Sequence, residues 1–206
     1  MTLDLEIDST FQMVPEKETI NVMRQLLSAV EYLHDNDIIH RDIKLGNILR
    51  QQGVIKLGDF GLACNYKTEE TRALCGTPNF LSPEVFRHKL HSTASDIWAV
   101  GCVLYTLLAG ENPFKYIDMQ TTQKVICAME YTIPAYISSE AVQAIKLLLD
   151  EDYKARPSAS DILQLELFVK YDEKRTPFRT KSNPDQVKSL FRFYSGDGQK
   201  PGIVRQ

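Results

Sequence analysis

Apolar residues recur at Ile20, Met23, Leu26, Leu27, Val30 and Leu33, the three-and-four spacing that turns one stripe of a helix toward a core. Pro15-Glu16-Lys17-Glu18 reads as its first turn, because proline is pre-set for helix entry and acids face the positive end of the helix dipole. Asp35-Asn36-Asp37 ends it, and a loop follows. Two short β-prone runs, Ile48-Leu49-Arg50 and Val54-Ile55-Lys56-Leu57, flank Gln51-Gln52-Gly53 and predict a small hairpin. From Leu62 to Ser82 the pattern is polar and irregular, and a connection of that length in a compact domain is functional or disordered. Helical spacing then returns. Ser92-Thr93-Ala94-Ser95-Asp96 caps an apolar helix over 97–109, and Gly110 stops it. Further helices are predicted near 118–129, 139–149 and 158–169, with Pro113, Pro134 and Pro157 as breakers. The expected fold class is mainly α, one helical domain over 15–170 with a small β-hairpin.

The 206 residues suffice for one core. A formal charge of −3 supplies no global basic field for nucleic acid. The longest apolar run, 97–110, is short of the roughly 20 residues that span a bilayer. Met1 to Thr10 alternates apolar and acidic residues without the basic and apolar regions of a signal peptide. Cys64, Cys75, Cys102 and Cys127 form no C-x-x-C pair, which reads as a reduced, intracellular chain and not a zinc or disulfide framework. Over 171–206 eight Lys/Arg outnumber four acids among Gly, Pro and Ser, the composition of a basic, disordered tail or linker.

The chemistry concentrates in His40-Arg41-Asp42-Ile43-Lys44-Leu45-Gly46-Asn47, followed twelve residues after the Asn by Asp59-Phe60-Gly61. An isolated Asp in a tight loop is usually a turn cap. Here Lys44 and Asn47 follow Asp42 at fixed offsets. An acid at 42 can orient an attacking hydroxyl and accept its proton. A lysine two residues on can reach a phosphate, and Asn47 with Asp59 offers oxygen ligands to a hard ion such as Mg²⁺. Gly61 lets the backbone turn where a Cβ would obstruct. His88 and His91 could share a helix face with a metal, but without a third ligand they read as surface or packing histidines. Cys64 and Cys75 read as ordinary thiols.

These segments, with Ser82-Pro83-Glu84, Asp96-Ile97-Trp98-Ala99-Val100-Gly101 and Arg156-Pro157 in order, resemble the C-terminal lobe of eukaryotic protein kinases from about Pro15 to Val169. Lys44 and Gly76-Thr77-Pro78 resemble the serine/threonine class. Leu74 to Glu84, with Lys56-Leu57-Gly58, resembles polo-like kinases. The resemblance implies ATP and Mg²⁺ as cofactors, a protein Ser/Thr acceptor, Asp42 as the acid that positions the hydroxyl, Lys44 on the moving phosphoryl, and Asn47 and Asp59 on the metal. It implies that Thr77 contacts Asp42 and Lys44, that Glu84 pairs with Arg156, that Asp96 holds the catalytic-loop backbone, that Phe60 and Gly61 complete the metal loop, and that Arg41 meets an activation-loop phosphate. Location in the cytoplasm, nucleus or centrosome follows by the same resemblance.

The sequence departs from that pattern at two places. The position of the activating threonine is Ala73, with Thr71 and Thr68 as the nearby alternatives. No glycine precedes Gly46, so there is no glycine-rich loop, and no Val-Ala-Ile-Lys-like strand occurs. The expectation is therefore a kinase C-lobe without its β-rich N-terminal lobe, residues 1–14 being a remnant of the hinge and following helix. Such a chain should be inactive alone, of modest stability, and sticky on the uncovered face. The competing reading is a non-catalytic interaction module that binds a partner protein through 118–129. A small-molecule phosphotransferase fits less well, because it would lack the Gly-Thr-Pro…Pro-Glu segment. No polo-box region is identifiable.

Overall fold

The computed structural model of the chain describes residues 2–3, 13–115 and 118–171. The remnant expected before residue 15 and the tail expected from 171 lie outside these residues, except for Thr2, Leu3, Met13, Val14 and Tyr171. The elements in chain order are α1 (Glu16–Asp35), β1 (Ile38–Ile39), β2 (Ile48–Gln51), β3 (Val54–Leu57), β4 (Cys64–Asn65), α2 (Pro83–His88), α3 (Thr93–Ala109), α4 (Met119–Cys127), α5 (Ser139–Leu148), α6 (Ala159–Ile162) and α7 (Glu166–Val169). Single 3₁₀ turns sit at Leu45–Asn47 and Pro78–Phe80.

The apolar stripe of α1 is buried from Ile20 to Leu33, as its spacing requires. The helix closes where Asn36 Nδ2 donates to Tyr32 O at 2.8 Å. Helix α3 is buried continuously from Ser95 to Leu108. A helix apolar all round belongs in the middle of a core, and α3 packs between α1 and α5. Trp98 stacks on Phe114 with centroids 5.5 Å apart. At the start of α3, Ser95 Oγ accepts from Ser92 N at 3.0 Å.

The hairpin forms as predicted, in the register Ile48↔Leu57 to Gln51↔Val54. A second antiparallel pair, β1 with β4 (Ile38↔Asn65, Ile39↔Cys64), has only two residues per strand and leaves no alternation to read. Together these pairs clamp two loops. β1 leads directly into His40 and β2 starts directly after Asn47, while β3 ends just before Gly58-Asp59 and β4 begins at Cys64. Thr2 bridges Leu49 at the outer edge of the hairpin, and Leu3 is buried beside it.

The helix expected over 158–169 is two short helices, α6 and α7. Ile162, Leu167 and Phe168 are all buried. On one straight helix Ile162 and Phe168 would point about 120° apart, so the break at 163–165 lets both face the core. Helices α4 and α5 fall within the segments expected near 118–129 and 139–149. Among the described residues no helix is long and apolar enough to cross a membrane.

Helix α3 touches α5 at Gly101, where a Cβ would lie 2.9 Å from Leu148 Cβ and 2.9 Å from Leu149 Cδ2. Neither neighbour can move without shifting the core. Gly101→Ala should therefore destabilise the fold by about 1–3 kcal/mol through overpacking, despite alanine's higher helix propensity. Denaturant melts of the two proteins measure the difference.

Candidate active site

The loop between β1 and β2 is anchored from below. Asp96, in the first turn of α3, accepts from His40 N (2.8 Å) and His34 Nε2 (3.0 Å) through Oδ2, and from Arg41 N (3.0 Å) through Oδ1. Burial alone would raise the Asp96 carboxyl, but these hydrogen bonds and the neighbouring His34 and His40 outweigh it and hold it below the ordinary aspartate range. Arg41 has φ of 66°, and its Nε donates to Leu62 O just beyond Asp59-Phe60-Gly61. His40 ties the same segments: Nε2 lies 3.0 Å from Gly58 O, Nδ1 accepts Asp42 N at 3.3 Å, and its ring is 5.1 Å from that of Phe60.

Four of the sequence-predicted residues meet in one network. Asp42 Oδ1 accepts from Thr77 Oγ1 at 2.7 Å and Thr77 N at 3.0 Å. Asp42 Oδ2 lies 2.8 Å from Lys44 Nζ and 3.0 Å from Asn47 Nδ2. Lys44 Nζ also donates to Thr77 Oγ1 at 2.8 Å. Asn47 Nδ2 reaches Asp42 O at 2.8 Å as well. Burial pushes the Asp42 carboxyl up, but the bonds from Lys44 and Thr77, the Lys44 charge and the Asn47 bond together hold it below its ordinary value.

The amide nitrogen of Asn47 is committed to Asp42, which leaves its carbonyl oxygen as the atom able to accept or to meet a cation. Asp59 is exposed, with φ of 57°, and its Oδ1 accepts Gly61 N at 3.2 Å. It stands outside the four-residue network. Gly58 N bonds Asn47 O at 2.8 Å and sets the two loops side by side. Among the described residues no three His, Cys, Asp or Glu side chains gather to hold a metal. One amide oxygen and one exposed carboxylate nevertheless fit Mg²⁺, which keeps waters and phosphate oxygens instead of taking an all-protein cage.

The segment after Gly61 is held at both ends. Gly76 has φ of 102°, and a Cβ there would lie 2.6 Å from Arg41 O, so only glycine brings Thr77 against the catalytic loop. At the far end Glu84 and Arg156 form a bidentate buried pair at 2.8 and 2.9 Å. Arg156 also donates to Ala94 O and Asp150 O and lies over the Trp98 ring. Between the ends, Ala73 N donates to Lys89 O, His91 N donates to Thr71 O, and Arg72 bridges Leu90. Thr71 is thus partly exposed on a paired stretch and outside the catalytic network.

His88 is exposed whereas His91 is buried with Nε2 3.6 Å from Cys75 Sγ, so the two do not make a metal site. Burial and the Arg41 charge hold the His91 imidazole below its ordinary range. Burial pushes the Cys64 thiol up to about 11 and moves Cys75 the same way, which keeps both protonated and unreactive at neutral pH. Sequence reasoning missed the β1–β4 clamp, the His34–Asp96 contact and the closeness of Gly76 to Arg41. Only the last had a sequence signal, a glycine beside a Thr-Pro pair. It also passed over Leu49, an exposed leucine on β2 whose Cδ1 borders Gly58.

The protein kinase domain profile matches residues 4–168. Serine/threonine-protein kinase PLK1 of Xenopus laevis is 42% identical over 168 residues, 80% of this chain and 28% of its own length. Serine/threonine-protein kinase PLK2 of Mus musculus is 40% identical over 161 residues, 77% of this chain and 24% of its own. Serine/threonine-protein kinase polo of Drosophila melanogaster is 39% identical over 165 residues, 79% and 29% respectively. The chain spans about a quarter of the length of these curated relatives.

Arg156→Ala leaves Glu84 charged and alone in the interior, and should cost about 3–5 kcal/mol in a denaturant melt. A loss below 1 kcal/mol would show that the pair is not a structural anchor. Asp42 should give a pH signature. Its folded value is depressed, so its contribution is complete well above the unfolded value of about 3.9 and is lost as pH falls through the folded value. The stability gap between wild type and Asp42→Asn should be flat above about pH 5 and shift in favour of the variant below about pH 4, read from melts across that range.

Proposed function

The chain belongs to the protein kinase family, and we propose that it carries the catalytic and metal-binding lobe of a polo-like serine/threonine kinase, which transfers the γ-phosphoryl of ATP to a protein hydroxyl. The observation that carries this reading is the four-residue network. Thr77 Oγ1 donates to Asp42 Oδ1 at 2.7 Å, so that carboxylate already accepts from an aliphatic hydroxyl of the kind a Ser or Thr acceptor carries. Lys44 lies against the same carboxylate and the same hydroxyl, where its charge can meet a transferring phosphoryl. Bound at Asn47 and Asp59, Mg²⁺ would neutralise the nucleotide phosphates.

The depressed basicity of Asp42 defines its part. A carboxylate stabilised by Lys44, Thr77 and Asn47 is ionised throughout the neutral range and is a weak base. It therefore orients the hydroxyl oxygen and takes the proton only as the new P–O bond forms, while positioning and electrostatics supply most of the acceleration.

Two finer points belong to the same reading. Thr71 is the activating phosphoacceptor of this reading, since Ala73 has no hydroxyl and Thr71 is partly exposed on the stretch paired with 89–91. A polypeptide of these 206 residues has little activity by itself, because its sequence contains no glycine-rich loop and no lysine strand to set the phosphates. Leu49, Val54 and Leu62 are large apolar side chains left exposed in the described residues.

Joining the glycine-rich lobe of a polo-like kinase to residues 13–171 should restore transfer from labelled ATP to casein and to Ser/Thr peptides, with little transfer to Tyr peptides. Asp42→Ala in that fusion should lower kcat by about 10²–10⁴-fold. Robust transfer by the unfused chain would refute its dependence on the added lobe. Transfer by the Asp42→Ala fusion at the parent rate would refute the catalytic assignment.

A further inference from the structure

Ser82 stands at the N-cap of α2, where a serine hydroxyl ordinarily accepts the N–H of the second or third helical residue. Here it makes no such bond. The carbonyl of Ser82 takes Val85 N at 3.1 Å and Phe86 N at 3.2 Å, and the hydroxyl caps nothing. Ser82 is 1% exposed, and its Oγ is buried with no hydrogen-bond partner among the described residues. An orphaned buried hydroxyl is costly, and a kinase motif that commonly reads Ala-Pro-Glu has no need of one at this position.

The same residue lines a small cavity with Arg41, Asp42, Thr77, Asp96 and Ala99. It lies where the catalytic loop, the segment after Gly76 and the first turn of α3 meet. Its free volume of about 10 Å³ is at the threshold for one water molecule. One wall has unused accepting capacity, since Asp96 Oδ1 takes only Arg41 N while Oδ2 takes His40 N and His34. Of the other polar side chains of the wall, both oxygens of Asp42 are filled, Thr77 Oγ1 lies between Asp42 and Lys44, Ser95 Oγ bonds Ser92 N and O, His91 Nε2 faces Cys75 Sγ, and Arg41 Nε donates to Leu62 O.

We propose that this cavity holds one structural water, which accepts from Ser82 Oγ and donates to Asp96 Oδ1, making Ser82 a positioning residue that ties the activation segment to the carboxylate anchoring the catalytic loop. The direct hydrogen bonds of Asp96 reach α1 and the catalytic loop. The water extends the same carboxylate to the residue that opens α2, next to the Glu84 end of the segment. The inference concerns the frame, and stands whether or not the chain transfers phosphate.

Removing an unpartnered hydroxyl and removing a water-bridged one have opposite consequences. If Ser82 Oγ is unpartnered, Ser82→Ala leaves the folded-to-unfolded ratio unchanged or raises it. If it is water-bridged, the ratio falls about five- to thirtyfold. The expected results are that fall, faster amide exchange over 80–86 in the variant, and in high-resolution crystals a water within hydrogen-bonding distance of Ser82 Oγ and Asp96 Oδ1 that the variant lacks. A dry cavity in the wild-type crystals, or a Ser82→Ala protein as stable as its parent, would overturn the proposal.

Discussion

The arrangement of the site depends on a single buried carboxylate. Asp96 sits in the first turn of the most buried helix, where the helix dipole already favours negative charge. From there it takes two consecutive backbone N–H groups of the catalytic loop and the ring of His34. Backbone N–H groups in a loop with no ladder partner would otherwise be expensive to bury. Asp96 satisfies them, and they in turn repay its desolvation. The positive φ at Arg41 is tolerable for the same reason: strain of order 1–3 kcal/mol persists only where the surroundings over-determine the backbone. The site is thus built downward from the loop into the core, and α3 is rigid because it has no solvent face on which to shift.

How much of this was legible in the sequence follows from the range of each interaction. Helix α1 and the β2–β3 hairpin were readable because their signals are local, a 3.6-residue stripe and a turn between β-prone runs. The cluster around Asp42 was readable because Lys44 and Asn47, chemically distinct from it and from each other, follow it at offsets of two and five, and the structure brings all three into one network. The β1–β4 pair was not, since two residues per strand carry no alternation and its partners are 25 and 27 positions apart, Ile38 with Asn65 being the outer pair. The break between α6 and α7 was hidden because Ile162 and Phe168 look compatible with one amphipathic helix until the core beneath them is known. Gly76 looked like punctuation, and its real constraint, the Arg41 carbonyl 2.6 Å from where a Cβ would stand, lies 35 residues upstream.

Charge burial divides the ionisable residues by task. Asp96, Glu84 and Arg156 are almost wholly inaccessible, and each has its polar atoms engaged by backbone groups or by a bidentate partner. Such groups define geometry, and their removal is costly chiefly because a partner is stranded. Asp42 and Asn47 are buried but border the surface, Lys44 is partly exposed, and Asp59 is exposed. These groups keep access to solvent and so can exchange partners. The gradient from sealed to exchangeable charge runs from α3 through the catalytic loop to the metal loop, and it separates scaffold from chemistry without reference to any motif.

The same gradient accounts for the role of Thr77. Its hydroxyl completes a triangle with Asp42 and Lys44, and its N–H adds a second bond to the same carboxylate oxygen. Lys44 alone would draw the Asp42 carboxylate into a closed ion pair and leave it poorly aimed. Thr77 divides the interaction of both, holding Oδ1 from the side of the activation segment while Lys44 and Asn47 hold Oδ2. The carboxylate is then fixed from two independently anchored directions, the catalytic loop through Asp96 and the activation segment through Glu84 and Arg156. A displacement at either anchor would therefore change the aim of Asp42 without touching it.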